Sequence, residues 1–482
     1  MSSAKRIGFF LGPGLFLFFY FLFPEDIISP QAPKVLALAV WMLTWWITEA
    51  VPIPVTAFLP MVGFPLMGIM KIGQAAAPYA NPVIFLFMGG FMIALALEKH
   101  KLHERIALQL IKLTGTSGNG IILGFMTASA LLSMWISNTA TAMMMLPIAV
   151  SVVHLILRDV KNLHELDNVR ERNFAIGLML SIGYACSLGG MATIIGTPPN
   201  VVFVGLLNDF YNIKISFAEW LIIGLPVATL LLAANYFMVT RLLFPNKLEK
   251  IKGSHELITN RLAELGPMRK EEKLVLLIFS LTAFLWMFQQ PINGLVALEL
   301  FNDTTVAMTG GLLMFIVPVN FKKGDFILNW TDTEKLSWGI LFLFGGGLCL
   351  ADGLDKSGII PAVGTWIGGH SEFTIGLTLL LIVISVYLSE VMSNVALVNV
   401  FVPVVFGISN VMEVNPVLMG LPVTLGASIA LMFPIATPPN AIVFSSGYIR
   451  IQDMIRAGFW LNIVSIIIIW VISITLVQWL FA

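Results

Sequence analysis

Residues 196–200 read Gly-Thr-Pro-Pro-Asn, and residues 436–440 read Ala-Thr-Pro-Pro-Asn. Each TPPN stretch lies inside an apolar segment, 174–205 or 415–446, that is long enough for a membrane helix. Two successive prolines remove two N–H donors and break any helix, so neither segment can be one continuous helix. Non-helical backbone at membrane depth is tolerated where it is buried in protein or lines a cavity. The two TPPN stretches therefore predict paired helix breaks around an internal site.

The composition of the whole chain is that of a membrane protein. Of its 482 residues, 58% are hydrophobic and 11% are charged, whereas soluble chains carry about 25% charged residues. The two cysteines, Cys186 and Cys349, and the six scattered histidines form no disulfide framework and no metal-ligand pattern. These observations exclude an ordinary soluble enzyme, a disordered protein and a nucleic-acid binder, which needs a basic face. We expect an all-α polytopic membrane protein.

Eleven apolar segments approach the length of about 20 residues that a membrane helix needs. They are 7–23, 33–48, 51–70, 81–98, 174–205, 216–243, 273–290, 304–320, 337–354, 415–446 and 457–480. Two more apolar stretches, 118–157 and 373–411, are each interrupted by a Ser-Asn pair. Each could form two ordinary helices or one re-entrant hairpin. We expect 7–23 to be a first span and not a cleaved signal, because no small-residue cleavage site follows it.

The basic residues predict the topology, because cytoplasmic loops carry an excess of Lys and Arg. We place the N-terminus inside and let both interrupted stretches return to their starting side. Only four basic residues then fall outside, namely Lys34, Lys71, Lys214 and Lys356. The other 23 of the 27 fall inside, including those of the stretch 158–172. This predicts a cytoplasmic N-terminus and an external C-terminus, but it does not decide between hairpins and pairs of full crossings.

An internal repeat supports the hairpins. Phe-Leu-Phe-Met-Gly-Gly at 85–90 recurs as Phe-Leu-Phe-Gly-Gly-Gly at 342–347, Ser137-Asn138 recurs as Ser393-Asn394, and the TPPN stretch recurs. The three matches keep one order, which shared hydrophobicity does not explain. The predicted topology places the two copies of the first match in spans of opposite direction. The halves are therefore predicted to be inverted repeats, the architecture of many secondary transporters.

The stretch 133–141 concentrates hydroxyl and amide side chains at membrane depth, which is costly unless they are paired or wet. A turn at 137–139 would present backbone N–H groups at the start of the next half-helix, and these groups together with the helix dipole bind anions. The carbonyls that end the preceding half-helix can bind a cation such as Na⁺. The alternative is ordinary hydrogen bonding between packed helices, and the TPPN pair could likewise be structural kinks.

We expect the four polar breaks to converge on one central site. No Lys or Arg remains for that site, so helix ends, hydroxyls, amides and sodium would hold the anion. Glu390, just before Ser393-Asn394, is expected to orient its turn more than to bind a cation directly. The glycines at 89–90 and 189–190 are expected to allow close helix approach. No acid pair, Ser/His pair or metal-ligand cluster favours an enzyme, and the paired broken helices argue against a channel.

On these motifs the chain resembles the divalent anion–sodium symporter family, the di- and tricarboxylate carriers. The likeness rests on Ser137-Asn138-Thr139, Ser393-Asn394, both TPPN stretches and Thr-Glu-Ala-Val-Pro-Ile-Pro at 48–54, and it covers nearly the whole chain. The resemblance implies a homodimer in the cell membrane, each subunit having a scaffold domain and an elevator-type transport domain. It also implies at least two sodium ions and a small di- or tricarboxylate anion, with no nucleic-acid partner.

The resemblance further implies which residues bind. The substrate would contact both hairpin tips and both TPPN breaks, at Ser137, Asn138, Thr139, Thr197, Pro198, Ser393, Asn394, Val395, Thr437 and Pro438. One sodium ion would be held by Ser133, Ser137, Asn138 and the Gly196 carbonyl. The other would be held by Ser389, the Met392 carbonyl, Asn394 and Ala436. Asn138 and Asn394 would then serve both ion and anion, which would couple the two.

One position departs from the family pattern, because Val395 stands where the second motif would read Ser-Asn-Thr. Valine removes one hydroxyl, and losing a substrate-facing hydrogen bond changes selectivity. The expected function is sodium-coupled symport of C4-dicarboxylates such as succinate into the cell. The alternatives are a citrate symporter, a sulfate symporter and a sodium-independent dicarboxylate exchanger.

The resemblance divides the chain into scaffold, transport and linker parts. In chain order these are scaffold helices with a cytoplasmic arm near 98–105 (1–117), the first part of the transport domain (118–243), a cytoplasmic linker (244–272), the scaffold helices of the second repeat (273–372) and the second part of the transport domain (373–482).

Overall fold

The computed structural model describes residues 3–24, 28–156, 169–249, 251, 253–296, 300–368 and 374–481. Within these ranges the chain is helical apart from loops and one small β-hairpin, which agrees with the all-α prediction. Nine helical segments of the described chain are long and apolar enough to cross a membrane, and shorter apolar helices lie between them. The basic residues at 158–168 and the predicted domain boundary at 372/373 lie outside the described residues.

The described residues of the first half form twelve α-helices. They are α1 (Ser3–Leu22), α2 (Ala32–Thr48), α3 (Ile53–Thr56), α4 (Leu59–Leu66), α5 (Ile72–Ala76), α6 (Pro82–Lys99), α7 (Leu102–Leu113), α8 (Gly118–Ser133), α9 (Asn138–Ile156), α10 (Val169–Gly190), α11 (Pro198–Tyr211) and α12 (Phe217–Phe237). A 3₁₀ turn at Ala77–Ala80 precedes α6, and α12 continues as a π-helix at Met238–Leu243.

The linker and the second half are also mainly helical. Their helices are α13 (Ser254–Glu264), α14 (Lys270–Val296), α15 (Asp303–Ile316), α16 (Trp338–Lys356), α17 (Ile359–Gly368), α18 (Thr374–Ser389), α19 (Asn394–Val411), α20 (Pro416–Ala427), α21 (Pro438–Ser445), α22 (Ile451–Ile472) and α23 (Gln478–Phe481). Strands β1 (Pro318–Asn320) and β2 (Asp325–Phe326) pair antiparallel, a 3₁₀ turn spans Trp330–Lys335, and a π-helix at Ser473–Val477 joins α22 to α23.

Two predicted segments differ from the structure. The expected single span 51–70 is wrong, because that segment forms the two short helices α3 and α4. Pro54 and Pro60 lie in the first turns of these helices, where a missing N–H costs nothing, so the chain restarts a helix at each proline. The predicted arm near 98–105 is divided between two helices, because α6 ends at Lys99 and α7 begins after Lys101 adopts the left-handed conformation (φ 57°).

The sequence repeat corresponds to a repeat of helices. Helix α6 corresponds to α16, the pair α8–α9 to α18–α19, and the broken pair α10–α11 to α20–α21. One apolar core runs through both halves. Glycines allow the close approach that their pattern predicts, since a Cβ on Gly89 would strike the backbone of Ala307 on α15. The opposite orientation of the two halves and the number of membrane crossings stay predictions.

The linker is tied to α7 by a buried ion pair. The Arg105 guanidinium lies 2.7 Å from the Glu272 carboxylate and also donates to the carbonyls of Leu265 and Gly266. Arg269 adds a second contact to the same carboxylate at 3.1 Å. A buried ion pair of this kind needs all of its partners, because removing one of them leaves an uncompensated buried charge. The segment between the halves is therefore anchored where α13 ends and α14 begins.

Candidate functional site

A cavity of about 880 Å³ is lined by residues of both halves. Both hairpin tips and both TPPN breaks reach it. The predicted site residues in its wall are Ser137, Asn138, Thr139, Gly196, Thr197, Pro198, Met392, Ser393, Asn394, Val395, Ala436, Thr437 and Pro438. The other two, Ser133 and Ser389, are fully buried and are not part of the wall. The structure thus brings the four polar breaks together, while the ligands of these residues stay a prediction.

The four helices that begin at the hairpin tips and TPPN breaks, α9, α11, α19 and α21, present their N-terminal residues to this cavity. The N-terminus of a helix carries unpaired N–H groups and the positive end of the helix dipole. Ser137 precedes α9, and its hydroxyl accepts a hydrogen bond from the Ala140 N–H at 3.1 Å. Ser393 is the N-cap of α19. The convergence of these ends makes the cavity attractive to an anion with little need for basic side chains.

The two kinds of helix start contribute differently. The starts of α11 and α21 are Pro198-Pro199 and Pro438-Pro439, which supply no N–H groups. Their caps, Thr197 and Thr437, therefore provide the polar groups at these breaks, and the Thr437 hydroxyl accepts from the Asn440 N–H at 3.5 Å. Backbone donors for an anion come from α9 and α19, and the TPPN breaks add the threonines and the dipole ends.

The first hairpin tip is packed tightly against the first break. The Ser133 hydroxyl donates a hydrogen bond to Asn138 Oδ1. A Cβ on Gly190 would lie 2.8 Å from that same oxygen and 2.9 Å from the Gly196 carbonyl oxygen, far inside van der Waals contact. Only glycine at position 190 allows the amide and this carbonyl to approach so closely. Three oxygens of the predicted first sodium site, those of Ser133, Asn138 and Gly196, therefore lie close together beside Gly190.

Neutral hydrogen bonds hold the first break, at 191–197. The Thr193 hydroxyl donates to the Met134 carbonyl at 2.6 Å and accepts from the Gly196 N–H at 3.0 Å. The Asn200 amide donates to the Thr193 carbonyl at 2.8 Å. From α12, the Trp220 indole N–H donates to the Met191 carbonyl at 3.1 Å. The break is thus connected both to the tip of the first hairpin and to α12.

A buried carboxylate holds the second break, at 428–437. Glu390 is 2% exposed, and its carboxylate accepts from the Leu431 N–H at 2.8 Å, the Met432 N–H at 3.0 Å and the Asn462 side-chain amide at 2.7 Å. The Asn440 amide donates to the Ala430 carbonyl at 2.9 Å. Glu390 is predicted to orient its own turn before Ser393-Asn394, but the donors to its carboxylate come from the second break and from α22.

Several buried oxygens beside the cavity have no hydrogen-bond partner within the described protein. They include Asn394 Oδ1 and the hydroxyls of Ser187 and Ser428, both of which line the cavity. Ser187 lies in the last turn of α10, and Ser428 directly follows α20, so each is near carbonyls that a helix end leaves free. Hard cations take neutral oxygen ligands of this kind. These oxygens fit the predicted use of sodium.

Sequence reasoning missed part of the cavity wall. Ser187 lies in an apolar helix and Ser428 directly follows one, and neither belongs to a motif. The expectation that no basic residue remains near the site is wrong at its edge, because Lys5 contributes to the wall together with Glu49, 3.1 Å away. Trp46 of α2 also lines it, and its indole donates to the Ile53 carbonyl at 3.3 Å. The sequence signal near Trp46 and Glu49 was the motif at 48–54, to which the resemblance assigned no role.

The fold is that of solved membrane transporters. Over 91% of this chain and 98% of the other, the structure is similar to the YdaH transporter of Alcanivorax borkumensis, with a TM-score of 0.60 and 15% sequence identity. Over 98% of this chain and 95% of the other, it is similar to MtrF of Neisseria gonorrhoeae, with a TM-score of 0.57 and 12% identity. At these identities the likeness concerns the fold alone. The fold class is thus the helical one that these solved membrane transporters share.

The family follows from sequence. The profile described as the sodium:sulfate symporter transmembrane region matches residues 11–482, and the chain belongs to this family of divalent anion–sodium symporters. It is 38% identical over 477 residues to the sodium-dependent dicarboxylate transporter SdcS of Staphylococcus saprophyticus. It is 39% identical over 485 residues to SdcS of Staphylococcus aureus, and each comparison covers 97% of this chain and 90% of the relative. The resemblance seen in the motifs is confirmed, and the protein is a transporter and not an enzyme.

Proposed function

We propose that this protein is a sodium-coupled importer of C4-dicarboxylates such as succinate. One observation carries the proposal: four helix N-termini and several unpartnered oxygens converge on one cavity. The SdcS relatives, which are sodium-dependent dicarboxylate transporters, support the substrate class. A volume of about 880 Å³ is within the range of small-molecule sites and holds a four-carbon dianion with water.

The two carboxylates of such a dianion would lie at the two hairpin tips. One would accept hydrogen bonds at the start of α9, from Ser137, Asn138 and Thr139. The other would do so at the start of α19, from Ser393 and Asn394, while Val395 offers only its apolar surface. The Thr197 and Thr437 groups, with Pro198 and Pro438 beside them, would border the chain of the substrate. Helix N-termini favour negative charge, so no cationic side chain is needed at the centre.

Two sodium ions would bind behind the substrate, among oxygens. The first would use Ser133, Ser137, Asn138 and the Gly196 carbonyl. The second would use Ser389, the Met392 carbonyl, Asn394 and the Ala436 carbonyl. Asn138 and Asn394 would each contact one sodium ion as well as the anion. A bound cation would therefore fix the amide that also faces the anion. Each ligand would then order the tip that the other needs, which is coupling in its reciprocal thermodynamic sense.

Transport would proceed by an elevator movement within a homodimer in the cell membrane. The moving parts would be 118–243 and 373–482, which contain the hairpins and both breaks, and the scaffold would be 1–117 and 273–372 with 244–272 as a cytoplasmic linker. The cavity wall supports this division, since one face consists of tips and breaks and the other of Trp46, Glu49 and neighbouring residues.

Uptake of labelled succinate into proteoliposomes tests the proposal. An inward sodium gradient is expected to drive accumulation, and replacing sodium by potassium is expected to reduce uptake to background. Citrate and sulfate, added in excess as competitors, are expected to inhibit less than unlabelled succinate does. Uptake that is independent of sodium but needs internal dicarboxylate would instead identify an exchanger. Stronger inhibition by citrate or sulfate would identify that anion as the preferred substrate.

Val395 offers a test of the substrate contact. The side chain is buried at 9% exposure and lies in the cavity wall at the start of α19. Val395→Thr adds a hydroxyl of nearly the same shape where a carboxylate is proposed, so the ratio of succinate to citrate uptake is expected to change by about tenfold. Val398→Thr, on the same helix but fully buried away from the cavity wall, is the control. An unchanged ratio for Val395→Thr would place the substrate elsewhere.

A further inference from the structure

An ion pair stands at the edge of the cavity, away from the hairpin tips. Lys5 Nζ lies 3.1 Å from Glu49 Oε2, and the two side chains are 41% and 58% exposed. Because both residues also line the cavity, the cavity reaches the surface of the protein here. Lys5 is the only basic residue in the wall among the described residues. A dianion that passes this edge therefore meets one positive charge, which is already paired with a carboxylate.

The local structure fixes the pair in place. Lys5 lies in the first turn of α1, and Glu49 directly follows α2. The two helices pack closely because Gly8 faces Thr48, whose side chain occupies the space that a Cβ would need. Glu49 has φ 46° and ψ 40°, a left-handed conformation that is uncommon for residues other than glycine. A strained backbone that turns a carboxylate toward a cavity is typical of functional positions.

We propose that the Lys5–Glu49 pair is a carboxylate-exchange subsite at this mouth of the transport pathway. A carboxylate of the passing substrate replaces Glu49 on the Lys5 ammonium, and Glu49 returns to Lys5 when the substrate has left. The exchange is balanced, because one carboxylate substitutes for another at the same cation. Exposed ion pairs are weak, so the pair opens without a large barrier. The inference rests on the proposed function and adds a residue that belongs to neither hairpin nor break.

The subsite acts on one side of the membrane only. Lys5 and Glu49 lie on α1 and the end of α2, which the proposed function places in the stationary scaffold. When the hairpin tips move toward the opposite face, the substrate leaves the reach of this pair. Loss of the Lys5 charge is therefore expected to weaken the apparent affinity for substrate offered from this side and to leave the other side unchanged. The predicted topology identifies this side as cytoplasmic.

Charge replacement at a new cysteine tests the subsite. Cys186 and Cys349 are both fully buried, so thiol reagents are directed to the cysteine of Lys5→Cys. The KM for succinate on the Lys5 side is expected to rise about fivefold in Lys5→Cys, because a charge at the edge of a site mainly changes the association rate of a charged ligand. Aminoethyl methanethiosulfonate, which restores an ammonium, is expected to recover it, and the impermeant sulfonatoethyl reagent is expected to raise it further.

Two controls complete the experiment. Arg6→Cys moves the same chemistry to an exposed neighbour outside the cavity wall and is expected to respond to neither reagent. Glu49→Gln, which removes the competing carboxylate from this pair, is expected to lower the KM on the same side. Equal changes on both sides of the membrane, or no recovery with the aminoethyl reagent, would overturn the subsite. Absence of sodium-dependent succinate uptake in the unaltered protein would instead overturn the proposed function.

Discussion

The Asn138→Ala and Asn394→Ala proteins are expected to show no sodium-dependent succinate uptake above background while remaining folded. Asn138 Oδ1 accepts from the Ser133 hydroxyl and, like the Gly196 carbonyl, lies against Gly190. Asn394 Oδ1 is buried beside the cavity without a partner in the described protein. Each amide is proposed to contact an ion and the anion, so removing one loses both contacts together. A combined loss of two or more orders of magnitude follows, because polar groups built around a ligand discriminate strongly.

The comparison is made by uptake at several sodium concentrations and by size-exclusion chromatography in detergent. Asn410→Ala is the matched control, because Asn410 is on the same helix as Asn394 but bonds the Tyr211 hydroxyl at its far end. That variant is expected to keep most of its activity. If both Asn138→Ala and Asn394→Ala kept an unchanged apparent sodium affinity, the two amides would not be shared ligands and the proposed basis of coupling would be wrong.

Glu390→Ala is expected to lower both stability and transport. The substitution leaves the N–H groups of Leu431 and Met432 and the Asn462 amide without their common acceptor, in a region where the carboxylate is 2% exposed. Leaving buried donors unpaired costs about 1–3 kcal/mol for each group, so the free energy of unfolding should fall by at least about 3 kcal/mol. The second break would lose its fixed shape, and the oxygens of Asn394 and Ala436, which are proposed to bind the second sodium ion, would move with it.

Thermal unfolding in detergent and sodium-dependent uptake measure the two effects. Glu390→Gln retains one acceptor oxygen and is expected to lie between Glu390→Ala and the unaltered protein in both. Glu413→Gln, at an exposed position just after α19, should change neither. A Glu390→Ala protein of normal stability would contradict the bracing role. Normal stability together with lost sodium dependence would point instead to direct ligation of a cation by this carboxylate.

The sequence contained most of the site, because the strongest signals in an apolar chain are the residues that break helices. Pro198-Pro199 and Pro438-Pro439 cannot stand inside a regular helix, and Ser137-Asn138 and Ser393-Asn394 interrupt segments that are otherwise continuous. Each of these positions lies in the cavity wall. Their pairing in one order gave enough information to place them together, since repeated halves present equivalent elements to a shared centre.

Other contributors had no such signal. Ser187 and Ser428 are single hydroxyls within and directly after apolar helices, and only the packing of α10 and α20 brings them to the cavity. Lys5 was counted as a marker of topology, and its meeting with Glu49 depends on how closely α1 and α2 cross. The break within 51–70 was missed because hydropathy averages over a window and does not weigh each proline. In every case the missing information was tertiary contact between segments.

The different supports of the two breaks limit how freely the halves of this protein could be exchanged. Met134 occupies in the first half the place that Glu390 occupies in the second, and Thr193 likewise corresponds to Phe433. The first break needs the threonine hydroxyl and the second needs the carboxylate. A chain assembled from two copies of either half would carry both braces of one kind, and two copies of the first half would lack both Glu390 and the Asn462 amide that bonds it. The two breaks are held by different groups. A residue moved from one half to the other therefore needs its hydrogen-bond partner to be moved with it.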